Sequence, residues 1–475
     1  MSSPIHNVID GRFVDSADGR RSDLINPSTG EVAGSAPLSG PDDVDAAYSA
    51  AVRAFRGWRD STPAERQAAL LKLADAVGEH AEELTAAECA ETGKPITGVR
   101  DDEIPAAVDQ IRFFAGACRT LDGLGAGEFV AGHTSYVRRE PVGVIGQVTP
   151  WNFPLLEAVG KIAPAIAAGN TVVLKPSDTT PSSTVLLAEL ASRCLPPGVI
   201  NVVCGDRETG RAVVSHPAAA MVAITGSTKA GQEVAAAAAP GVKRTHLELG
   251  GKAPVIVFED ADLERAVPLI CEAAYGNAGQ DCTAATRVLA AAEIADRLAE
   301  MLAKHAAAIT VGPPDSGAFY GPLNNAAQLE RVAGFLERLP DHSTVLTGGR
   351  RHGDQGYFWQ PTVVTGVRQE DEISRAEVFG PVITVQQFHG EDEAISAAND
   401  VAYGLAASIW TDNHARALRT VRELDFGTVW INAHSVNLSE LPHGGFKQSG
   451  HGKNMSVFGL EEYTRIKHVT QSFAR

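Results

Sequence analysis

From Val142 onward the chain repeats one rhythm, a short β-branched run, a turn, a helical stretch and another run. The runs are VGVIGQV (142–148), TVVLK (171–175), VINVV (199–203), MVAIT (221–225) and RTHLEL (244–249). Between them lie helical stretches such as Ser183 to Arg193 and Lys229 to Ala239. Strands alternating with helices at this spacing predict an α/β fold with a largely parallel sheet covered on both faces. Such a sheet binds ligands in the crevice at the carboxyl ends of its strands.

Before this segment come short strand-like pieces and turns, up to about Pro37, and then helices. Val44, Ala47, Tyr48, Ala51, Val52 and Phe55 mark one face of an amphipathic helix. Thr62-Pro63-Ala64-Glu65 reads as a capping box with proline in the first turn of the next helix. A second α/β region is expected from Gly250 to about Ser449, followed by a strand-like tail. At 475 residues the chain exceeds what one core usually supports, so at least two lobes are expected. A net charge of -17 disfavours nucleic acid and anionic membranes as partners. No run of about twenty apolar residues suggests a membrane span. Six dispersed cysteines without a CxxC pair and the lack of a signal-peptide pattern fit a reducing cytoplasm.

Cys282 stands apart from the other five cysteines, which fit the ordinary role of small buried hydrophobes. It lies in the polar, small-residue segment NAGQDCTAATR (277–287), where a thiolate could act as a nucleophile. Glu248 ends a strand-like run just before Gly250-Gly251, as either a paired carboxylate or a general base at the cleft. Asn152, in TPWNFP (149–154), either serves its own turn or donates to an oxyanion. Gly226 and Ser227 follow MVAIT and open a helix, an arrangement that offers amides to phosphate. Lys175 and Asp178 end another strand in LKPSD (174–178), as either an exposed charged turn or a grip on ribose hydroxyls. No HExxH, zinc-type cysteine spacing, Walker lysine or GxSxG elbow is present, and no metal is expected.

In combination these segments resemble the aldehyde dehydrogenase superfamily over nearly the whole chain, from INPSTGEV (25–32) to GLEEYTRIKHV (459–469). TPWNFP, LKPSD, TGSTKAG, LELGGK, GQDC, EVFGP and PHGGFKQSG occur in the family's order. The resemblance implies Cys282 as nucleophile, Asn152 with the Cys282 amide as oxyanion hole, and Glu248 as the base that activates water. It implies NAD as cofactor, with Thr149, Pro150, Trp151, Lys175, Ser177, Asp178, Gly226, Ser227, Leu249, Glu377 and Phe379 around it. Asp178 takes the place of the commoner glutamate and would repel a 2′-phosphate, favouring NAD over NADP. Glu248 argues for thioester hydrolysis over transfer to coenzyme A. The implied fold has a Rossmann-type dinucleotide-binding domain (1–121 and 142–249), an α/β catalytic domain (250–449) and a small β oligomerisation element (122–141 and 450–475). A homodimer or homotetramer follows from the same resemblance.

Several segments are most similar to the γ-aminobutyraldehyde dehydrogenase branch, among them DEIP (102–105), RFFAGACR (112–119) and NAGQDCTAATR. They imply an ω-amino aldehyde such as 4-aminobutyraldehyde, with Asp102, Glu103, Glu157, Gly160, Gly276, Asp281 and His443 lining the substrate tunnel. Asp102 and Glu103 would place negative charge at its mouth, although acids at a helix start are also favoured by its dipole. Gly160 and Gly276 stand where aromatics are common, which implies a wider tunnel and leaves bulkier aldehydes open. Betaine aldehyde and succinate semialdehyde rank lower. The rival classes are a cofactor-independent cysteine hydrolase, a non-catalytic protein on the same fold, and a reductase.

Overall fold

In the computed structural model, which describes residues 5–473, the expected rhythm resolves into two large sheets, a three-stranded sheet and two two-stranded ribbons. The first sheet is built on five parallel strands, Val144–Val148, Thr171–Lys175, Ile200–Val202, Ala219–Gly226 and Arg244–Leu249. Numbered in chain order they lie 3-2-1-4-5, so the winding direction reverses between Val144–Val148 and Ala219–Gly226. Open α/β sheets bind ligands at such a reversal. Short antiparallel strands extend both edges, Asn7–Ile9 and Arg12–Val14 on one side and Gly450–His451 on the other.

Alternate residues of these strands enter different cores. Val172 and Leu174 pack with the helices Pro63–Glu79, Ile104–Ala117, Pro154–Ala167 and Ser182–Ser192. Val173, Val222 and Ile224 pack with Pro41–Trp58, Arg207–Ser215 and Thr228–Ala238. Period-two alternation thus buries both faces, as continuous apolar runs in a parallel sheet require. Pro41–Trp58 buries Val44, Ala47, Tyr48 and Ala51, as its spacing predicts, while Val52 of the same stripe is exposed. The Thr62 box forms as read, with the Glu65 amide donating to the Thr62 hydroxyl and the Glu65 carboxylate accepting from the Thr62 amide.

Leu249 leads through only four residues into Pro254–Val257, a central strand of the second, seven-stranded sheet. Its strands are parallel except at the edge strand Thr344–Thr347. The third sheet is antiparallel: Gly127–Val130, His133–Pro141 and Thr464–Ser472, the last two paired from Thr464↔Pro141 to Ser472↔His133. Phe129, Val130 and Ile466 of this sheet are exposed. No described helix is long and apolar enough to cross a membrane.

One buried cation pins the second sheet. Arg287, fully buried at the start of Arg287–Ala291, donates to the carbonyls of Ala397 (2.8 Å) and Ala398 (2.7 Å) at the end of the helix Glu391–Asn399. Charged donors there satisfy orphan carbonyls and oppose the helix dipole. Replacing it (Arg287→Leu) leaves both carbonyls without a donor and is expected to destabilise by at least about 2 kcal/mol. A urea-unfolding midpoint equal to that of the unchanged protein would contradict this.

Candidate active site

The link between the two large sheets carries the site. Glu248, next to last in its strand, is held on both sides, pairing with Thr225 on Ala219–Gly226 and with Gly450 in antiparallel register. The next residues pass through a gap without room for side chains. A Cβ on Gly250 would fall 2.4 Å from Glu377 Oε2, and one on Gly251 would fall 2.2 Å from the Cys282 carbonyl oxygen. The requirement for glycine here is space. Its result is that Glu248, Glu377 and Cys282 share one small volume, with the Gly251 amide donating to Glu377 Oε1 (2.9 Å).

Cys282 is presented by a loop under backbone tension. Asn277, Ala278 and Gly279 are three successive left-handed residues, and a Cβ on Gly279 would collide with the Gly380 carbonyl at 2.3 Å. Left-handed non-glycine residues persist only where surroundings fix them. Here Gln280, 2% exposed, bonds the Asn277 carbonyl (3.0 Å) and accepts from the Asn324 amide (2.9 Å). Asn277 in turn donates to the Asn152 carbonyl (3.0 Å), and Asn152 Nδ2 donates to the Gln280 carbonyl (3.1 Å). Asn152 therefore sits against the loop that ends in Cys282, with one further N–H to give. Beyond the cysteine, His434 bridges the Ser408 hydroxyl (2.8 Å) and the Thr283 carbonyl (2.7 Å). Burial lowers its pKa to about 4, so the ring is neutral at pH 7 and donates from Nε2 to the carbonyl.

The third wall is the segment PHGGFKQSG. Ser449 Oγ donates to the Gly250 carbonyl (2.7 Å), its own carbonyl accepts from the Leu249 amide (3.1 Å), and His443 pairs through its backbone with Asn454. These ties set His443 Nε2 at 3.6 Å from Glu248 Oε1. The carboxylate of Glu248, the sulfur of Cys282 and a ring nitrogen of His443 all lie within 4.8 Å of one another. From the helix Pro154–Ala167, Glu157 and Lys161 approach the same place, one turn apart.

The charges oppose one another. Burial pushes the Cys282 thiol well above its ordinary range, and Glu248, Asp281, Glu157 and Glu377 push it further. The resting sulfur is therefore a thiol whose proton Glu248 is placed to accept. Burial alone would raise Glu248, but facing His443 and Lys161 hold it below the usual carboxylate range. For His443, burial would lower the value and Glu248 more than reverses that, leaving it raised. Glu157 is raised by burial and by Glu248. Burial takes Glu377 up to about 7.

A cleft of about 750 Å³ opens at the carboxyl ends of the first sheet, lined by Thr149, Lys175, Ser177, Asp178 and Ser227 among others. Ser227 caps the helix Thr228–Ala238 by accepting from the Ala230 amide, and the apolar walls include Val214, Ile224, Ala230 and Val234. A capped helix start, a carboxylate at Asp178 and apolar walls fit a nucleotide of ordinary size. Lys175 is buried, and its ammonium contacts the Pro176 and Gly205 carbonyls. Gly226 ends its strand just before Ser227. Pro150 precedes Trp151, whose ring meets Phe379 edge to face at 5.3 Å. Phe379 itself has positive φ, and Gln328 Nε2 bonds its carbonyl at 2.6 Å.

Some expected residues fall elsewhere. The Leu249 side chain turns into the core against Gly231, leaving only its backbone for a ligand. Asp102 is exposed on the π-helical turn Val99–Glu103, and Glu103 is paired with Lys94 at 2.8 Å. Asp281 accepts from the Thr283 amide and hydroxyl (2.7 and 2.8 Å), which makes it a cap of the cysteine turn. A Cβ on Gly276 would meet nothing within 4 Å, whereas one on Gly160 would lie 3.5 Å from Gln110 Oε1. Lys161, Gln280 and His434 were not singled out by sequence reasoning. The i,i+4 spacing of Glu157 and Lys161 was a readable signal, whereas His434 carried none.

Comparison with known proteins agrees with this arrangement. The chain matches the aldehyde dehydrogenase family over residues 13–469. It is 39% identical over 476 residues to an aldehyde dehydrogenase of Alternaria alternata, covering 99% of this chain and 96% of that protein. Among solved structures, the NAD+ complex of an aldehyde dehydrogenase from Bacillus cereus has a TM-score of 0.97 at 38% identity, covering 99% of this chain and 97% of the other. A point mutant of betaine aldehyde dehydrogenase from Staphylococcus aureus has a TM-score of 0.96 at 35% identity, covering 99% and 98%. The chain belongs to the aldehyde dehydrogenase family, and it is an oxidoreductase of that class.

Two outcomes follow from the geometry. In Gly251→Ala the added carbon meets backbone, which cannot swing aside, so a loss of about 1–3 kcal/mol is expected. Unchanged unfolding with unchanged alkylation of Cys282 would contradict that. The Glu248–His443 pair predicts a pH effect with a definite sign. The lowered Glu248 adds stability above the ordinary carboxylate range, lost as pH falls through its folded value; the raised His443 adds stability below about 6.5, lost as pH rises through its folded value. The difference in Tm between the unchanged protein and His443→Phe should therefore be greatest between about pH 4.5 and 6.5. A difference that does not vary with pH would rule out this pairing.

Proposed function

We propose that the protein oxidises an aldehyde to its carboxylic acid with NAD, and that the aldehyde carries a cationic amine at its far end, as 4-aminobutyraldehyde does. The observation that carries the substrate is Glu157. Its carboxylate stands among the groups around Cys282, where burial and Glu248 press it toward neutrality. An ammonium at the end of the substrate adds to the counter-charge that Lys161 and His443 supply only in part. The same excess of carboxylates disfavours an anionic substrate such as succinate semialdehyde.

The residues have the following roles in this reading. Glu248 takes the Cys282 proton, and the thiolate adds to the carbonyl carbon. The resulting oxyanion accepts hydrogen bonds from the free N–H of Asn152 and the Cys282 amide, each donor worth about 3 kcal/mol. When bound, NAD supplies the hydride acceptor, with Lys175, Ser177 and Asp178 at the adenosine ribose, Ser227 and the helix start at the phosphates, and Glu377, Trp151 and Phe379 at the nicotinamide end. Once its first proton has passed to solvent, Glu248 deprotonates the water that cleaves the Cys282 thioester and returns that proton to the departing thiolate, releasing the acid and restoring the thiol. The first sheet with its helices serves as the cofactor domain and the second as the catalytic domain. The exposed Phe129, Val130 and Ile466 support the small sheet as the face that forms a dimer or tetramer.

The open space beside Gly276 supports a second reading, a bulkier aldehyde. One experiment separates the two: NADH formation with 4-aminobutyraldehyde, butyraldehyde, betaine aldehyde, succinate semialdehyde and aromatic aldehydes, with Cys282→Ala as control. The amino aldehyde is expected to have the highest kcat/KM, falling about tenfold in Glu157→Gln (about 1.4 kcal/mol) while butyraldehyde is little changed. Preference for aromatic aldehydes would favour the second reading. NADH from no aldehyde would overturn both, and cofactor-free ester cleavage would then indicate a hydrolase.

A further inference from the structure

The groups around Cys282 also make a ligand set of a kind the dehydrogenase reaction does not use. Thiol, imidazole and carboxylate donors from Cys282, His443 and Glu248 lie within 4.8 Å of one another. In a four-coordinate zinc site, bonds of about 2.0–2.3 Å place neighbouring ligand atoms roughly 3.3–3.8 Å apart. His443 Nε2 and Glu248 Oε1, at 3.6 Å, already have that spacing. The sulfur has to close by about 1.3 Å at most, a shift that a side-chain rotation supplies. Glu248 is 1% exposed, and neither of its oxygens has a hydrogen-bond partner among the described residues. Buried carboxylate oxygens left in this state favour any ligand that satisfies them.

We infer that Glu248, Cys282 and His443 form a reversible inhibitory site for a thiophilic divalent cation, with Zn²⁺ as the type, which occupies the nucleophile in place of the aldehyde. Binding converts the Cys282 thiol to a metal thiolate and releases its proton to solvent, with no change of oxidation state. Glu157, Asp281 and Glu377 add negative charge around the sulfur, and Lys161 is the group that opposes a cation. The second shell sets the strength. A metal-bound histidine ordinarily donates its other ring N–H, whereas His443 Nδ1 has no partner among the described residues. Missing second-shell partners weaken metal binding by 10–100-fold. The site is thus one for reversible inhibition and not for a resident metal.

The test uses the full-length protein without NAD or aldehyde, so its outcome does not depend on the dehydrogenase reading. Alkylation of Cys282 by iodoacetamide is followed against ZnCl₂ in a non-chelating buffer, with Cys282→Ala giving the background from other cysteines. Zn²⁺ is expected to slow alkylation, and His443→Phe and Glu248→Gln each to require at least about tenfold more Zn²⁺ for the same protection. Co²⁺ in place of Zn²⁺ should produce a thiolate-to-metal charge-transfer band, absent in Cys282→Ala and weakened in both other variants. No protection, or the same Zn²⁺ dependence in the unchanged protein and both variants, would overturn the assignment. So would a Co²⁺ spectrum without the thiolate band.

Discussion

The close approach of Gly250 and Gly251 to Glu377 and Cys282 is the contact on which the rest of the site depends. A side chain at Gly251 would meet the Cys282 backbone, which cannot swing aside, and one at Gly250 would displace the Glu377 carboxylate. Because the two sheets are joined by so short a link, the base, the thiol and the carboxylate of Glu377 converge without a long loop to order. Loops pay entropy for their order, and a link this short pays little. Tight interdigitation makes the assembly stiff, and a stiff frame suits groups that must be placed within a fraction of an ångström.

Stiffness also explains how the electrostatics can be so unfavourable. Four carboxylates around one thiol raise its pKa, and buried Lys161 and His443 only partly compensate. In a flexible site such groups would move apart or admit water. Here Gln280, Asn152, Asn277, His434 and Ser449 tie the surrounding backbone by hydrogen bonds. The strain of three successive left-handed residues before Cys282 is held by the same ties. A site of this kind favours cations, whether carried by a cofactor, a substrate or a metal.

Much of this was legible in the sequence. The parallel sheet followed from β-branched runs of strand length, and the helix Pro41–Trp58 from its apolar spacing, because these signals depend on local periodicity alone. Cys282, Glu248 and Asn152 could be singled out because each lies in a distinctive segment at a strand end or turn. What was not legible depends on distant pairing. His443 faces Glu248 only because Gly450 pairs beside it, and His434 reaches Thr283 only across the second sheet. The partner of Glu103 was hidden for the same reason: its charge was readable in the sequence, but its pairing with Lys94 is set by the fold.

The pairing of Glu248 with Gly450 bears on how the protein is made. Ser449 and Gly250, which lock that corner, are 199 residues apart in the chain. Chains emerge from the ribosome N-terminal end first, and domains fold as they emerge. The first sheet can therefore assemble while His443 and Ser449 are still unsynthesised, with Glu248 at an open edge. Contacts of this sequence separation form slowly. The nucleophile and its base acquire their final surroundings only at the end of folding, so a nascent or truncated chain holds Cys282 without the electrostatic setting that gives it its chemistry.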